Sequence, residues 1–349
     1  MTTGTRSESE VEEFRVRTDL VVVGASAGGV EALRTLVGAL PEDLPAAVVV
    51  VLHMPAGGSS ALPAILSRSG PLPALAVQDG AELRSGHIHV ARPDYHVVVQ
   101  DGVLRLSRGP TENGHRPAVN VLFRSAALAK GPSVIGVVLS GALDDGTSGM
   151  AAIKSRGGVT VVQEPGDALY PGMPESVLQH VEVDHTLPVA RIGPLLADIA
   201  GESAIQVTIA PVPEALRMEV AVSRDDAGAE FGEIPAIGSP TTYTCPDCAG
   251  SLLEIPGNGV QYRCLVGHGW TADALMEAYG GTLERAMWTA LRTLDQKASL
   301  THRMANVSRD AGRDLVADRY SRQEEEALAA ANVLRKHLLR GGVREETGT

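Results

Sequence analysis

The feature that most constrains this chain is a set of short valine-rich runs, each ending in a polar or glycine-rich turn. DLVVVGA at 19–25 breaks into Ser26-Ala27-Gly28-Gly29, AAVVVVL at 46–52 into His53-Met54-Pro55, and VIGVVL at 134–139 into Ser140-Gly141. Apolar runs without polar alternation are buried on both faces, the habit of strands in a parallel sheet covered by helices. The segments between them have helical periodicity: GGVEALRTLVGAL, SSALPAILSRSG, VNVLFRSAALAK and a stretch after Asp145. With three Phe and two Trp in 349 residues that are 44% hydrophobic, the core must be built from Val, Leu and Ala. Alternation of this kind predicts an α/β fold with a doubly wound, mostly parallel sheet. Residues 87–106 read as an antiparallel insertion with a hairpin at Asp101-Gly102. His87, His89 and His96 in that insertion are expected at its surface.

Composition divides the rest. Residues 1–16 are a polar, acidic tail, 17–205 the α/β domain, and 206–240 a linker rich in Pro, Gly, Ala and acids. A cysteine-bearing module occupies 241–276, a helical hairpin 277–341 and a second tail 342–349. In the first helix of the hairpin, Met287, Leu291, Leu294, Ala298, Thr301 and Ala305 form a heptad-like seam. A net charge of −12 argues against nucleic acid or an anionic membrane as main partner. No apolar run approaches the ~20 residues of a membrane span, and the polar start is no signal peptide. All three Cys are clustered, which does not read as a disulfide framework. On these features a cytoplasmic protein is expected.

The serine turn admits three readings. Gly24-Ala25-Ser26-Ala27-Gly28 has the G-x-S-x-G form that holds a nucleophile on a tight strand-to-helix bend. A phosphate cradle and a plain helix-capping serine remain open. Ligands of doubly wound sheets gather at the carboxyl ends of strands. There the second run supplies His53, and the third supplies Asp145 within Ser140-Gly141-Ala142-Leu143-Asp144-Asp145-Gly146. A serine, a base and an acid at one sheet edge favour nucleophilic catalysis.

Together with Gly114-His115-Arg116-Pro117 and Gly172-Met173-Pro174, these blocks resemble, in order, the signature of CheB-type protein-glutamate methylesterases of bacterial chemotaxis. The resemblance implies a Ser26–His53–Asp145 triad acting on methyl esters of glutamates in a chemoreceptor-like protein, with no catalytic cofactor. The same chemistry extends to glutamine deamidation. It also implies oxyanion donors at the amides near Ala27 and Ala142, although Ala142-Leu143 replaces the family's usual Met-Gly. Arg116 is a candidate anchor for an acidic receptor helix, with a structural ion pair as the alternative. Members with a receiver domain carry it before the catalytic strands. Only about 16 residues precede them here, so a stand-alone enzyme without cis phosphorylation is expected.

Cys245-Pro-Asp-Cys248 and Cys264-Leu-Val-Gly-His268 supply four ligands of the type and spacing of a structural zinc knuckle. The turn at Gly257-Asn258-Gly259 would bring the pairs together. This stretch resembles a tail found on some stand-alone members of the same family. Two other functional readings stay open: hydrolysis of an unrelated ester or amide, and a non-enzymatic scaffold with a relic triad. The helices at the C-terminus are candidates for self-association or partner binding.

Overall fold

The structure, a computed structural model, describes residues 16–57, 60–201, 203–204, 211–224, 238–255 and 261–341. Most of both terminal tails and the Gly257–Gly259 turn lie outside them. The chain forms two compact units, Met1–Leu275 and Met276–Thr349.

Along the first unit run β1 (Val16–Arg17), β2 (Leu20–Ala25), α1 (Gly29–Gly38), β3 (Ala47–Leu52), α2 (Leu62–Ser69), β4 (Ala74–Ala76), β5 (Ala81–Glu82) and β6 (Ile88–Val90). Next come β7 (His96–Gln100), β8 (Val103–Ser107), α3 (Val119–Lys130), β9 (Val134–Val138), α4 (Thr147–Ser155), β10 (Val159–Gln163), α5 (Gly172–His180), β11 (His185–Leu187) and α6 (Val189–Ile199). Seven of these strands form one parallel sheet in the order β11-β10-β9-β2-β3-β6-β4. The order reverses beside β2, whose neighbours are β3 and β9, and this is where such sheets open a crevice. The two-residue alternation of each strand divides its valines between two cores. Val21, Val23, Val48 and Val50 pack with α1, α2 and α6, while Val22, Val49, Val51 and Val138 pack with α3, α4 and α5.

The antiparallel insertion is a three-stranded sheet, β5-β8-β7, with its hairpin at Asp101-Gly102. One boundary differs from the sequence reading. Ile88–Val90 is a parallel strand of the main sheet, and in sequence it lies between β5 and β7 of the antiparallel one. His89 and His96 are accordingly buried, at 5% and 0% exposure, not superficial. His89 accepts a hydrogen bond from the Arg84 amide, and the His96 ring is held between Pro110 O and the Ala118 amide.

β12 (Ser203–Ala204) pairs with β1. The stretch read as linker contains a helix, α7 (Glu214–Val222), whose Val222 packs on Ile255. Four antiparallel strands follow: β13 (Ser239–Thr244), β14 (Ser251–Ile255), β15 (Gln261–Cys264) and β16 (Gly269–Thr271). Finally α8 (Ala272–Asp310) and α9 (Asp314–Gly341) are two long helices. Within the second unit they run antiparallel, tied by Arg335–Asp295 at 3.1 Å and His302–Glu324 at 3.0 Å. Leu291, Ala298, Thr301 and Ala305 of the predicted seam are buried, as are Ala317, Ala327 and Ala331 of α9. No helix among the described residues is long and apolar enough to cross a membrane.

Candidate active site and Cys3His cluster

Three strand ends converge at the point where the sheet order reverses. Ser26 follows β2, His53 follows β3, and Asp145 lies in the loop after β9. Backbone bonds extend the sheet pairing into these loops, from Ser26 N to Ser140 O at 2.9 Å and from His53 N to Ala25 O at 3.1 Å. The His53 ring bridges the other two side chains, with Nδ1 3.1 Å from Ser26 Oγ and Nε2 2.7 Å from Asp145 Oδ2.

Asp145 is held at the N-terminus of α3. Oδ2 also accepts from the Val119 amide at 2.7 Å, and Oδ1 accepts from the amides of Asn120 at 3.0 Å and Gly146 at 2.9 Å. Burial opposes the charge, but the hydrogen bond and charge of His53, with the two helix amides, hold this carboxyl below the usual carboxylate range. A buried carboxylate with these donors presents a fixed negative charge to the far nitrogen of His53, so Nε2 carries the proton and Nδ1 offers its lone pair to the serine.

The serine turn is tightly framed. Gly28 has φ of +69°, which suits glycine, and the Ser140 hydroxyl donates to Ala27 O at 2.8 Å. A Cβ at Gly141 would lie 2.0 Å from Met173 Sδ and 3.0 Å from Ser26 Cβ, so a larger residue there would have to displace the Met173 side chain and crowd the serine. The amides of Ala27 and Ala142 donate to no acceptor among the described residues. Leu143, in the Asp145 loop, and Leu169 and Tyr170, in the loop after β10, are exposed apolar side chains, and the Tyr170 amide donates to Ser140 Oγ at 3.0 Å. A cleft beside the triad is lined by His53, Met54, Asp94, Thr111, His115 and Arg116. Arg116 is engaged within the fold: Nε and Nη2 donate to Asp94 at 3.1 and 2.7 Å, and Nη1 donates to the carbonyls of Arg108 and Gly109.

Several neighbours escaped the sequence reading. His115 stacks on His53, with centroids 3.8 Å apart and planes 14° from parallel. Burial, then the charge of His53, pushes His115 down to about 4, so the stacked ring is neutral at physiological pH. It sits at the end of a tight turn whose central residues, Asn113 and Gly114, both have positive φ, at 51° and 73°. Asn-Gly is the sequence signal for such a turn. Next to Asp145, Asp144 accepts a hydrogen bond from Thr271 Oγ1 at 2.8 Å. Burial pushes Asp144 up to about 6, against that hydrogen bond and with the charges of Asp145 and Asp273.

Cys245, Cys248, Cys264 and His268 come together with their ligand atoms within 4.8 Å of one another. Cys248 Sγ is 3.7 Å from Cys264 Sγ, and His268 Nδ1 is 3.7 Å from Cys245 Sγ and 3.5 Å from Cys264 Sγ. A tetrahedron with zinc bonds of ~2.3 Å to sulfur and ~2.0–2.1 Å to nitrogen has edges of about 3.8 Å and 3.6 Å, so the donor set fits that ion.

A doubly wound sheet with serine, histidine and aspartate bonded in series at its switch point has the architecture of a serine hydrolase. More narrowly, the chain belongs to the CheB methylesterase family, whose model matches residues 21–196. Among curated relatives, a protein-glutamate methylesterase/protein-glutamine glutaminase 2 of Methanosarcina mazei is 37% identical over 189 residues, covering 52% of this chain and 51% of the relative. A protein-glutamate methylesterase/protein-glutamine glutaminase 1 of Methanospirillum hungatei is 39% identical over 184 residues, covering 50% and 54% respectively. The chain thus spans about half the length of the curated relatives it matches. Among solved structures, the Thermotoga maritima CheB methylesterase catalytic domain aligns with a TM-score of 0.51 at 32% identity, covering 53% of this chain and all of that one.

Proposed function

We propose that this chain is a serine esterase that removes methyl groups from glutamate side chains of a chemoreceptor-like protein in the cytoplasm. The observation that carries this reading is the Ser26–His53–Asp145 series, with both links at hydrogen-bond distance. His53 Nδ1 takes the hydroxyl proton as Ser26 Oγ attacks the ester carbonyl. Asp145, acting through Nε2–H, orients the ring and stabilises the imidazolium that forms. The free amides of Ala27 and Ala142 are the donors we assign to the oxyanion. His53 returns the proton to the leaving methanol, and a water activated by the same ring releases the glutamate carboxylate from Ser26. A glutamine side chain would pass through the same acyl-enzyme with ammonia as leaving group, in keeping with the glutaminase names of the relatives.

No step requires a cofactor. The Cys3His cluster we assign to a structural Zn²⁺, which would cross-link a four-stranded sheet too small to hold itself by apolar burial. Arg116 is a wall of the cleft, held in place by Asp94, and contributes one remaining Nη2 hydrogen toward an acidic substrate. An active-site-directed fluorophosphonate tests the enzyme reading, because a relic scaffold leaves Ser26 unlabelled. A panel of methylated receptor peptides and unrelated esters tests the substrate. Turnover confined to unrelated esters would replace the methylesterase assignment while leaving the triad.

A further inference from the structure

The four-stranded sheet around the cysteines is fastened to the loops that surround the triad. Gly269 N donates to Thr111 O at 3.1 Å, and Asn113 N donates to Gly269 O at 2.8 Å, so β16 is bridged to the turn that ends at His115. Asn113 Oδ1 accepts from the Thr271 amide at 2.9 Å, while the Thr271 hydroxyl donates to Asp144 beside Asp145. Thr111 Oγ1 donates to Asp247 at 2.5 Å. Beneath the turn, the buried Glu112 carboxylate joins Arg124 of α3 to Arg263 of β15. Burial opposes the Glu112 charge, but the two guanidiniums hold its carboxyl far below the usual range.

Each of these fastenings leaves from beside a ligand of the cluster. Asp247 lies between Cys245 and Cys248, Arg263 precedes Cys264, Gly269 follows His268, and Thr271 lies three residues beyond it. The four ligands themselves come from two separate places, the turn between β13 and β14, and the end of β15 with the turn that leads to β16. An ion joining them fixes the β15–β16 turn relative to the rest of the small sheet. The strands that flank this turn grip both the His115 turn stacked on His53, through Gly269 and Arg263, and the loop carrying Asp145, through Thr271.

We propose that the Cys3His module is a positioning element of the active site, holding the His115 turn and the Asp145 loop through Gly269, Arg263 and Thr271, so that metal loading of the cluster sets the reactivity of Ser26. This rests on the reading of Ser26 as nucleophile. Thr271 is a positioning residue, since it touches Asp144 and Asn113 rather than a reacting atom. Without the ion, the β15–β16 turn loses its anchor, the His115 stack loosens, and His53 samples orientations in which Nδ1 no longer faces the serine.

The test uses the full chain, purified under reducing conditions without chelator, with zinc content measured by elemental analysis. The rate at which a fluorophosphonate labels Ser26 reports reactivity without reference to any substrate, so failure of the methylesterase assignment stays separate from failure of this inference. Zinc removal should slow labelling about five-fold or more, the scale of one hydrogen bond in the site, and zinc return should restore it. Hydrogen exchange at the Asn113 amide should speed up in the zinc-free protein. Should zinc removal unfold the protein, Thr271→Val decides, because it leaves all four ligands in place. It should retain zinc and far-UV circular dichroism yet label about five-fold slower, while Thr271→Ser, which keeps the hydroxyl, labels like the parent. Equal labelling in parent and Thr271→Val, or in folded zinc-free and loaded protein, overturns the inference. Absence of labelling in loaded parent protein overturns it together with the reading of Ser26.

Discussion

Replacing Asp145 by Asn changes one oxygen for one NH2 in a site that offers only donors. The two carboxylate oxygens face four N–H groups: His53 Nε2–H and Val119 N on one side, Asn120 N and Gly146 N on the other. An amide satisfies one side only. Keeping its oxygen toward Asn120 and Gly146 turns its NH2 toward Val119 and His53, leaves the Val119 donor unpaired, and forces Nε2 to accept. The His53 proton then sits on Nδ1, facing Ser26, where it cannot take the hydroxyl proton. A lost buried partner costs about 1–3 kcal/mol, and a triad histidine in the wrong tautomer loses about 10⁴-fold in kcat. Two measurements on Asp145→Asn check this: turnover by methanol release and the thermal midpoint. The Asp145 carboxyl titrates below its unfolded value, so its stabilisation is present above pH ~4 and fades as pH falls through the folded value. The stability gap between parent and variant should therefore be widest near neutral pH and narrow in acid. A variant with parental turnover, or a gap that does not change with pH, would refute the argument.

Further outcomes follow from other parts of the structure. Asp144 titrates near 6 in the folded chain, above its unfolded value of ~4, so folding binds a proton there and stability falls as pH rises from 4 to 6. Asp144→Asn should stabilise the fold at pH 7.5 by at most about 3 kcal/mol, read as a higher thermal midpoint, and the gain should disappear near pH 4; a gain independent of pH contradicts this. Gly141→Ala forces a methyl into Met173 and Ser26, so it should cost about 1–3 kcal/mol and reduce turnover sharply, whereas parental activity would show that the turn has room. Elemental analysis should give about one zinc per chain and none in Cys264→Ala; metal-free parent protein under reducing conditions would remove the zinc assignment.

The valine runs made the parallel sheet legible because burial on both faces leaves a composition that few other elements share. Ser26, His53 and Asp145 could be read together because each ends such a run, and the sheet brings these ends to one edge. Ile88–Val90 was misplaced because His89 makes the strand look half-polar. Its ring is in fact buried and bonded to the Arg84 amide, which nothing local announces. The helix Glu214–Val222 was hidden within a stretch whose overall composition resembles a linker. The grip of the Cys3His module was illegible for a different reason. Glu112 and Arg263 are 151 positions apart, and Asp144 and Thr271 are 127 apart, so no spacing or periodicity links them. Only Asn113-Gly114 carried a local signal, the turn that presents His115.

The central claim is that Ser26 attacks a glutamyl methyl ester, and methanol release from a methylated chemoreceptor fragment tests it most directly. The parent chain should release methanol with one glutamate carboxylate formed per methanol, and Ser26→Ala, with its fold intact by circular dichroism, should release almost none. Methanol release by Ser26→Ala at the parental rate would contradict the account.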